Sequence, residues 1–506
     1  MTWLSRLWKS DAPLETVENT VERDQNILVI SDIHLGEDIL QEGPAKLSEY
    51  IRILNGKLGE FIRAHREPSA DGRSWHLVIN GDMFDFVKIS LLPDEDEAVE
   101  MLSRPLSPAE RQRGLANNPE NTAWKLNRIL EIHRPVFKEM AGFLLAGNSV
   151  TFIEGNHDAE FYFSEVQDRM ITFLCDLAES FEGDAGAEQA RAEQVASRVR
   201  FRTWFDASPG RYHIEHGNQY DEMCSVEYHL SPHDDAEEGT LATPLSHRAM
   251  PYFAEILGDF STHAIDQWTF GQWMRFICSM GPRMVWVLAK LYWVVCLELV
   301  FQAGGNREKE LQANREKHGL RLEELMKETP YGLETLRGLD RLRARPAEYS
   351  LWKMIHLFYV DRFLLVAGTL VGLLGSALLW EGPAAWWAAA CVVVGAMLLH
   401  YGLGKIRAPE LIQTLRLAAA RIADRTGARY VVFGHSHHPE MVNLGEEFGV
   451  GRFGEGGFYL NSGSWVTREI LREGGAGMTY VEITAQGAAL RQWRRSGEPP
   501  EVLARS

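Results

Sequence analysis

The sequence predicts an α/β protein split by a large helical insertion that carries a transmembrane hairpin. Three observations lead there. Short apolar runs alternate with segments of helical spacing between residues 26 and 215, and the alternation resumes at residue 429. Several of those runs end in glycine with a carboxylate or an imidazole, the pattern of buried strands that deliver reactive side chains at their carboxyl ends. Between the two α/β stretches lie two apolar runs, Phe363 to Trp380 and Ala384 to Tyr401, that contain no Asp, Glu, Lys or Arg.

Each element follows from its local pattern. Asn26 to Ile30 predicts a strand, with Ser31 to Gly36 as the loop after it. Lys46 to Arg66 sets Leu47, Tyr50, Ile51, Leu54, Leu58, Phe61 and Ile62 at helical spacing, and His76 to Asn80 reads as the next strand of a βαβ unit. That unit makes Asp32 and Asp82 neighbours at one sheet edge, where open α/β folds place their sites. Asp85 to Arg113 is a polar loop with short helices, and a helix over Asn121 to Leu145, kinked at Pro135, precedes the strand ending at Glu154. Tyr162 to Leu177 is helical by spacing, and Glu179 to Val199 is a surface helix or a connector. Phe201 to Phe205 and Arg211 to Glu215 read as strands joined by the turn Ala207-Ser208-Pro209-Gly210. Later, Leu411 to Ala423 is a helix. Arg429 to Phe433, Phe458 to Leu460, Met478 to Val481 and Ala488 to Trp493 are strands, the glycines from 445 to 457 mark turns, and Ser496 to Ser506 is a disordered tail.

The insertion has its own logic. Arg307 to Arg345 is charged and helical, a solvated face. Each of the two apolar runs is about 18 residues, close to the roughly 20 needed to cross a hydrocarbon core, and only Glu381-Gly382-Pro383 separates them. Their freedom from charge favours a membrane hairpin over a buried soluble one. Met284 to Phe301 is interrupted by Lys290 and Glu298 and reads as an interfacial or core helix. Segments on either side of the insertion that share one site require an even number of crossings, which the hairpin supplies. Arg341, Arg343, Arg345, Lys353 and Arg362 precede it and Lys405 and Arg407 follow, so the positive-inside bias places both α/β parts in the cytoplasm. The expected divisions are 20–225, an insertion at 226–425 with the hairpin at 363–401, and 426–495.

With 506 residues the chain can bury a full core, and its net charge of -18 argues against a general nucleic-acid binder. The five cysteines form no close pair and read as reduced thiols. Met1 to Pro13 has no long apolar core; Trp3 to Lys9 reads as a frayed terminus ahead of an interfacial anchor.

The strand ends carry the chemistry. Asp32 and His34 follow the first apolar run, Asp82 the second, and Asn156, His157 and Asp158 the third. His216 follows His213 to Glu215, and His435 and His437 follow Tyr430 to Phe433. Imidazole and carboxylate donors suit Zn, Mn and Fe, and a two-metal site needs a bridging carboxylate between ions roughly 3.5–4 Å apart. Asp82, beside Gly81, is the natural bridge. The i, i+2 pairs Asp32/His34 and His435/His437 can converge on a metal only if the backbone turns between them.

Taken in order, Asp32-Ile33-His34, Gly81-Asp82, Gly155-Asn156-His157-Asp158, His216-Gly217 and Gly434-His435-Ser436-His437 resemble the motifs of the calcineurin-like metallophosphoesterase superfamily. The resemblance covers Asn26 to Tyr220 and Arg429 to Trp465, and leaves the insertion unmatched. It implies a two-sheet β-sandwich flanked by helices, with two divalent or trivalent metals, Mn, Fe or Zn, at the strand ends. By that analogy Asp32, His34, Asp82 and His437 hold one ion, and Asp82, Asn156, His216 and His435 the other. A bridging hydroxide attacks phosphorus, and His157, oriented by Asp158, supports the transition state or protonates the leaving oxygen. Within the superfamily the chain is similar to the bacterial group containing the UDP-2,3-diacylglucosamine pyrophosphate hydrolases. It departs from that group in having His157 where arginine is usual, and in its long insertion. The implied function is hydrolysis of a phosphoester or pyrophosphate in a phosphorylated small-molecule or lipid-linked substrate at the inner membrane. A catalytically silent membrane scaffold or sensor is the alternative, and a nuclease is disfavoured by the acidic balance. Phe84, Asp85, Tyr220 and Asp221 are expected near the substrate, His438 at the surface, and Cys224 as a buried thiol.

Overall fold

The computed structural model describes residues 25–36, 44–87, 92–181, 187–233, 239–247, 308–357, 360–405, 411–449, 457–466, 477–494 and 498–506, with single positions at 275, 281, 286, 290 and 293. The N-terminal turn at Trp3 to Lys9, and all but Trp286, Lys290 and Trp293 of the Met284 to Phe301 run, lie outside the described residues.

Two mixed sheets face each other. The first contains strands β1 (Asn26–Ile30), β2 (Trp75–Asn80), β3 (Ser149–Ile153), β4 (Val199–Arg202), β10 (Thr479–Thr484), β11 (Gly487–Gln492) and β12 (Glu501–Arg505), in the order β12-β11-β10-β1-β2-β3-β4. The second contains β5 (Phe205–Ser208), β6 (Tyr212–Glu215), β7 (Tyr430–Phe433), β8 (Glu440–Asn443) and β9 (Phe458–Asn461), in the order β5-β6-β7-β9-β8. Strands β1 to β4 run parallel, as do β6, β7 and β9, while the strands at the margins are antiparallel. Each sheet therefore joins chain from before the insertion to chain from after it.

Alternation along the strands explains the layering. Ile27 and Val29 of β1, Tyr212 and Ile214 of β6, and Tyr430 and Val432 of β7 meet in one core between the sheets. Leu28 and Ile30 point the other way, onto α1 (Pro44–Ala64) through Leu54, Leu58 and Phe61. Beside α1 pack α2 (Pro119–Ile132), α3 (Arg134–Leu145), α4 (Ser164–Glu179) and α5 (Glu188–Ala196). Successive strand residues face opposite sides, so strands buried along their whole length, such as β1 and β7, belong where both faces are covered.

In the insertion, α6 (Glu308–Glu328) and α7 (Leu333–Asp340) precede α8 (Val360–Leu379) and α9 (Pro383–Lys405), and α10 (Leu411–Thr426) returns the chain to the sheets. Although the sequence boundary at 425 assigns α10 to the insertion, its Leu415, Ala419 and Ile422 cover Val431 and Phe433 on the outer face of the second sheet. Helices α8 and α9 are long and apolar enough to cross a membrane, with mean hydropathy 1.9 and 1.6 and only 6% and 0% of those spans buried. Leu378, Leu379, Trp386 and Trp387 are exposed, so the pair is not buried among the described residues.

Three expectations change. The helix over Asn121 to Leu145 is two helices broken at His133, with Pro135 in the first turn of α3, where its missing N–H is harmless. Phe201 to Phe205 is divided between β4 and β5, which lie in different sheets. The tail forms β12, pairing Ala489 with Arg505 and Gln492 with Glu501, and Ser506 bonds back to Ala488. Backbone pairing carries that strand; its side chains are mostly exposed and leave little apolar pattern to read.

Candidate metal centre

The parallel strands β1, β2 and β3 of one sheet and β6 and β7 of the other end at the same edge, and each is followed within two residues by one of the motifs. Local backbone then brings the donors inward. Asp32, His34, Asp82, His435 and His437 all have φ between 53° and 62°. That left-handed conformation strains a residue with a side chain by an order of about 1–3 kcal/mol, and such outliers cluster at functional sites. It supplies the turn that the i, i+2 pairs require. Backbone bonds hold it: Ile33 and His34 N–H both donate to Asp82 O at 2.9 Å, and Leu35 N–H donates to Met83 O at 2.8 Å.

The donors gather into overlapping groups: Asp32, His34 and His437; Asp82, His216 and His435; and His34, Asp82 and His157, all buried, with their ligand atoms within 4.8 Å of one another in each group. Asp82 Oδ2 lies 3.2 Å from His216 Nε2 and 3.7 Å from His34 Nε2, so this carboxylate faces both sides. Asp32 Oδ1 is 3.1 Å from His437 Nε2, and Asn156 Oδ1 is 3.2 Å from His216 Nε2.

The imidazoles are held in orientations suited to ligation. His216 Nδ1 bonds Asn80 O at 2.9 Å, which presents Nε2 to Asp82. His435 Nε2 faces Asp221 Oδ2 at 3.1 Å, leaving Nδ1 buried with no hydrogen-bond partner among the described residues. His34 Nδ1 faces Asp85 Oδ2 at 3.2 Å, and the same carboxylate's Oδ1 lies 3.2 Å from His157 Nδ1. Fixing one ring nitrogen so that the other points inward is how proteins orient metal-binding histidines.

Charge is unbalanced at the centre. Burial raises Asp82, but the rings of His216, His157 and His34 pull it well below the usual carboxylate value; burial likewise raises Asp32, and His437 and His216 more than offset it. Burial lowers His216, yet Asp82 and Asp32 push it up to about 9. Burial, then repulsion from Asp82, raises Asp158 to about 7. The buried carboxylate oxygens Asp32 Oδ1 and Asp82 Oδ2 make no aligned hydrogen bond among the described residues. A mixed set of N and O donors with orphaned carboxylate oxygens fits two divalent cations.

Asp158 has a different task from the one expected. Its Oδ1 accepts from Gly155 N–H at 2.7 Å and Asp82 N–H at 3.2 Å, and its Oδ2 from Met83 N–H at 2.8 Å. It braces the chain just after β2 and β3, while Asp85 Oδ1 lies 3.2 Å from His157 Nδ1 and Asp82 is also close to that ring. Phe84 and Tyr220 are not site walls: Phe84 stacks on Phe137 in the core, and the Tyr220 hydroxyl donates to Glu215 at 2.7 Å. His438 is exposed, while Cys224 is buried beside Asp221 and His435. His247, unmarked by any motif, lies 3.2 Å from Asn156 Nδ2, with its ring centroid 4.6 Å from that of His157.

No protein-family model and no curated protein matches the chain. The His and Asp clusters and the mixed two-sheet α/β fold are consistent with a metallophosphoesterase-like scaffold for two metals.

Proposed function

We propose that the chain is a membrane-attached, two-metal hydrolase of a phosphoester or pyrophosphate. The observation that carries this reading is Asp82 Oδ2, buried between His34 and His216, with Asp32 and His437 on one side and Asn156 and His435 on the other. Asp32, His34, Asp82 and His437 would hold one ion, and Asp82, Asn156, His216 and His435 the second. Bound ions supply Lewis-acid stabilisation of the phosphoryl oxygens and a water of lowered pKa. The chain's own groups do the rest. Asp85 sets the rings of His34 and His157, Asp221 sets His435, and Asp158 fixes the loops. His157 stands at the edge of the donor set, where it donates a proton to the leaving oxygen.

The two parts 20–225 and 426–495 form one catalytic domain in this reading, because both sheets draw strands from each. Helices α8 and α9 would form the hairpin that anchors it: two crossings return the chain to the same side, and basic residues flanking the base rather than the tip support a domain facing a bacterial cytoplasm. A phosphate substrate linked to lipid suits an enzyme so placed. The alternative is a silent scaffold on the same fold.

The test is metal content and turnover of detergent-purified protein and its Asp82→Ala form on a chromogenic phosphodiester, a phosphomonoester and a UDP-linked lipid pyrophosphate. The hydrolase predicts about two catalytic ions per chain and turnover that Asp82→Ala abolishes. Bound metal without turnover on any of the three would favour the scaffold.

A further inference from the structure

A second group of donors, all from the 226–425 stretch, stands apart from the strand-end motifs and packs against Trp204 of the α/β body. His318 lies on α6, Asp340 ends α7, and His229 belongs to the segment beyond His216. One ligand atom from each lies within 4.8 Å of the others. His229 is only 5% exposed, and neither of its ring nitrogens has a hydrogen-bond partner among the described residues. An imidazole buried in that way loses its water bonds without replacement, which is unfavourable unless a ligand satisfies it. Its ring meets His318 edge-on, with centroids 5.3 Å apart, and Trp204 closes another side at 4.8 Å. Asp340 Oδ1 faces His318 Nε2 at 2.9 Å and accepts from Arg343 Nε at 2.7 Å. Arg343 Nη1 also donates to Val226 O at 3.1 Å.

His229 and Asp340 are held in the forms that ligate. Burial, helped by Arg343, holds the His229 ring well below the ordinary imidazole value and therefore neutral. Burial raises Asp340, but His318 and Arg343 more than offset it and keep the carboxylate ionised. Neutral imidazole and carboxylate are the forms that bind first-row transition ions.

We propose that His229, His318 and Asp340 form a separate site for a divalent transition ion of the Zn²⁺ class, which clasps α6 and α7 to the segment that follows His216. Two imidazoles and one carboxylate are an established donor set for zinc. Arg343, bonded to Asp340, is the outer partner that a ligating carboxylate requires. Leu230 N–H reaches His318 Nδ1 at 3.4 Å, a long bond. On loading, His318 Nε2 gives up its hydrogen and Nδ1 carries one in place of that bond. His229 also lines a cavity shared with Asn156 and His216. The site is independent of the phosphoester reading, since none of its three donors belongs to the strand-end motifs.

The test counts metal on the full-length chain in detergent, stripped with a chelator, reloaded with Zn²⁺ alone and freed of excess ion. Asp82→Ala is the parent, so that the strand-end site is impaired equally in every sample. Adding His229→Gln, or His318→Ala, should remove about one equivalent of zinc per chain and abolish any rise in melting midpoint on Zn²⁺ addition. An unchanged zinc count in both double variants would overturn the proposal. If neither double variant folds, Co²⁺ loaded into Asp82→Ala is compared with Co²⁺ loaded in the presence of one competing equivalent of Zn²⁺. Visible d–d bands that zinc suppresses are expected, and their absence counts against the site.

Discussion

Asp85 serves two rings at once, with one oxygen toward His34 and the other toward His157, and an amide cannot accept at both positions. Asp85→Asn should therefore turn one imidazole to the wrong tautomer and lower metal affinity or turnover about 10–100-fold, read by metal titration and by kcat, with the fold unchanged by circular dichroism. Gly155 shows why the third motif needs its glycine. A Cβ there would strike the carboxylate of Asp82, so Gly155→Ala should cut both metal content and activity; normal metal occupancy in that variant would contradict the packing. The motif residues were legible because each set follows an apolar run and, in all but Asp32-Ile33-His34, pairs an acid or imidazole with glycine. Asp85, Asp221 and His247 were not assignable to their tasks. Nothing in spacing distinguishes a carboxylate that holds a ring from one that lines a pocket, and His247 stands far along the chain from its neighbours Asn156 and His157.

Among the elements, the break between α2 and α3 carries a titratable group. His133 Nδ1 meets Asn55 Oδ1 at 2.7 Å, and burial depresses its pKa from 6.5 to about 4. The unfolded chain then binds the extra proton first. This contribution to stability is complete above pH 6.5 and is lost as pH falls toward 4. The melting midpoint should drop across that window, and less steeply in His133→Gln. Phe61 on α1 is fully buried against Trp465, Tyr480 and Trp493, side chains from the far end of the chain. Phe61→Ala should destabilise the fold by about 3–5 kcal/mol in denaturant unfolding. Elements with a strong period, such as α1 and β1, could be read directly. The β4/β5 division could not, because both are short and only their pairing with β3 and β6 separates them.

At the scale of the molecule, the hairpin is the part most open to challenge by a single charge. Val371 is 70% exposed near the middle of α8. In a bilayer, Val371→Arg should disfavour insertion by about 2.5–3.5 kcal/mol on the translocon scale and shift protein out of the carbonate-resistant membrane fraction; no shift would argue that this face never meets lipid. The sequence showed the two α/β parts and the apolar runs but not that the two sheets interleave, since pairing such as Ile27 with Ile483 leaves no local trace. That interleaving has a consequence in time. Between Glu215, the end of β6, and Tyr430, the start of its neighbour β7, lie 214 residues (216–429). A ribosome adding about 5–20 residues per second needs roughly 10–40 s to cover that interval. Throughout it, the nascent chain carries Asp32, Asp82 and His216 without His435 and His437. If the hairpin inserts as proposed, it meets the bilayer before β7 has paired with β6, and the donor set closes on a chain already anchored.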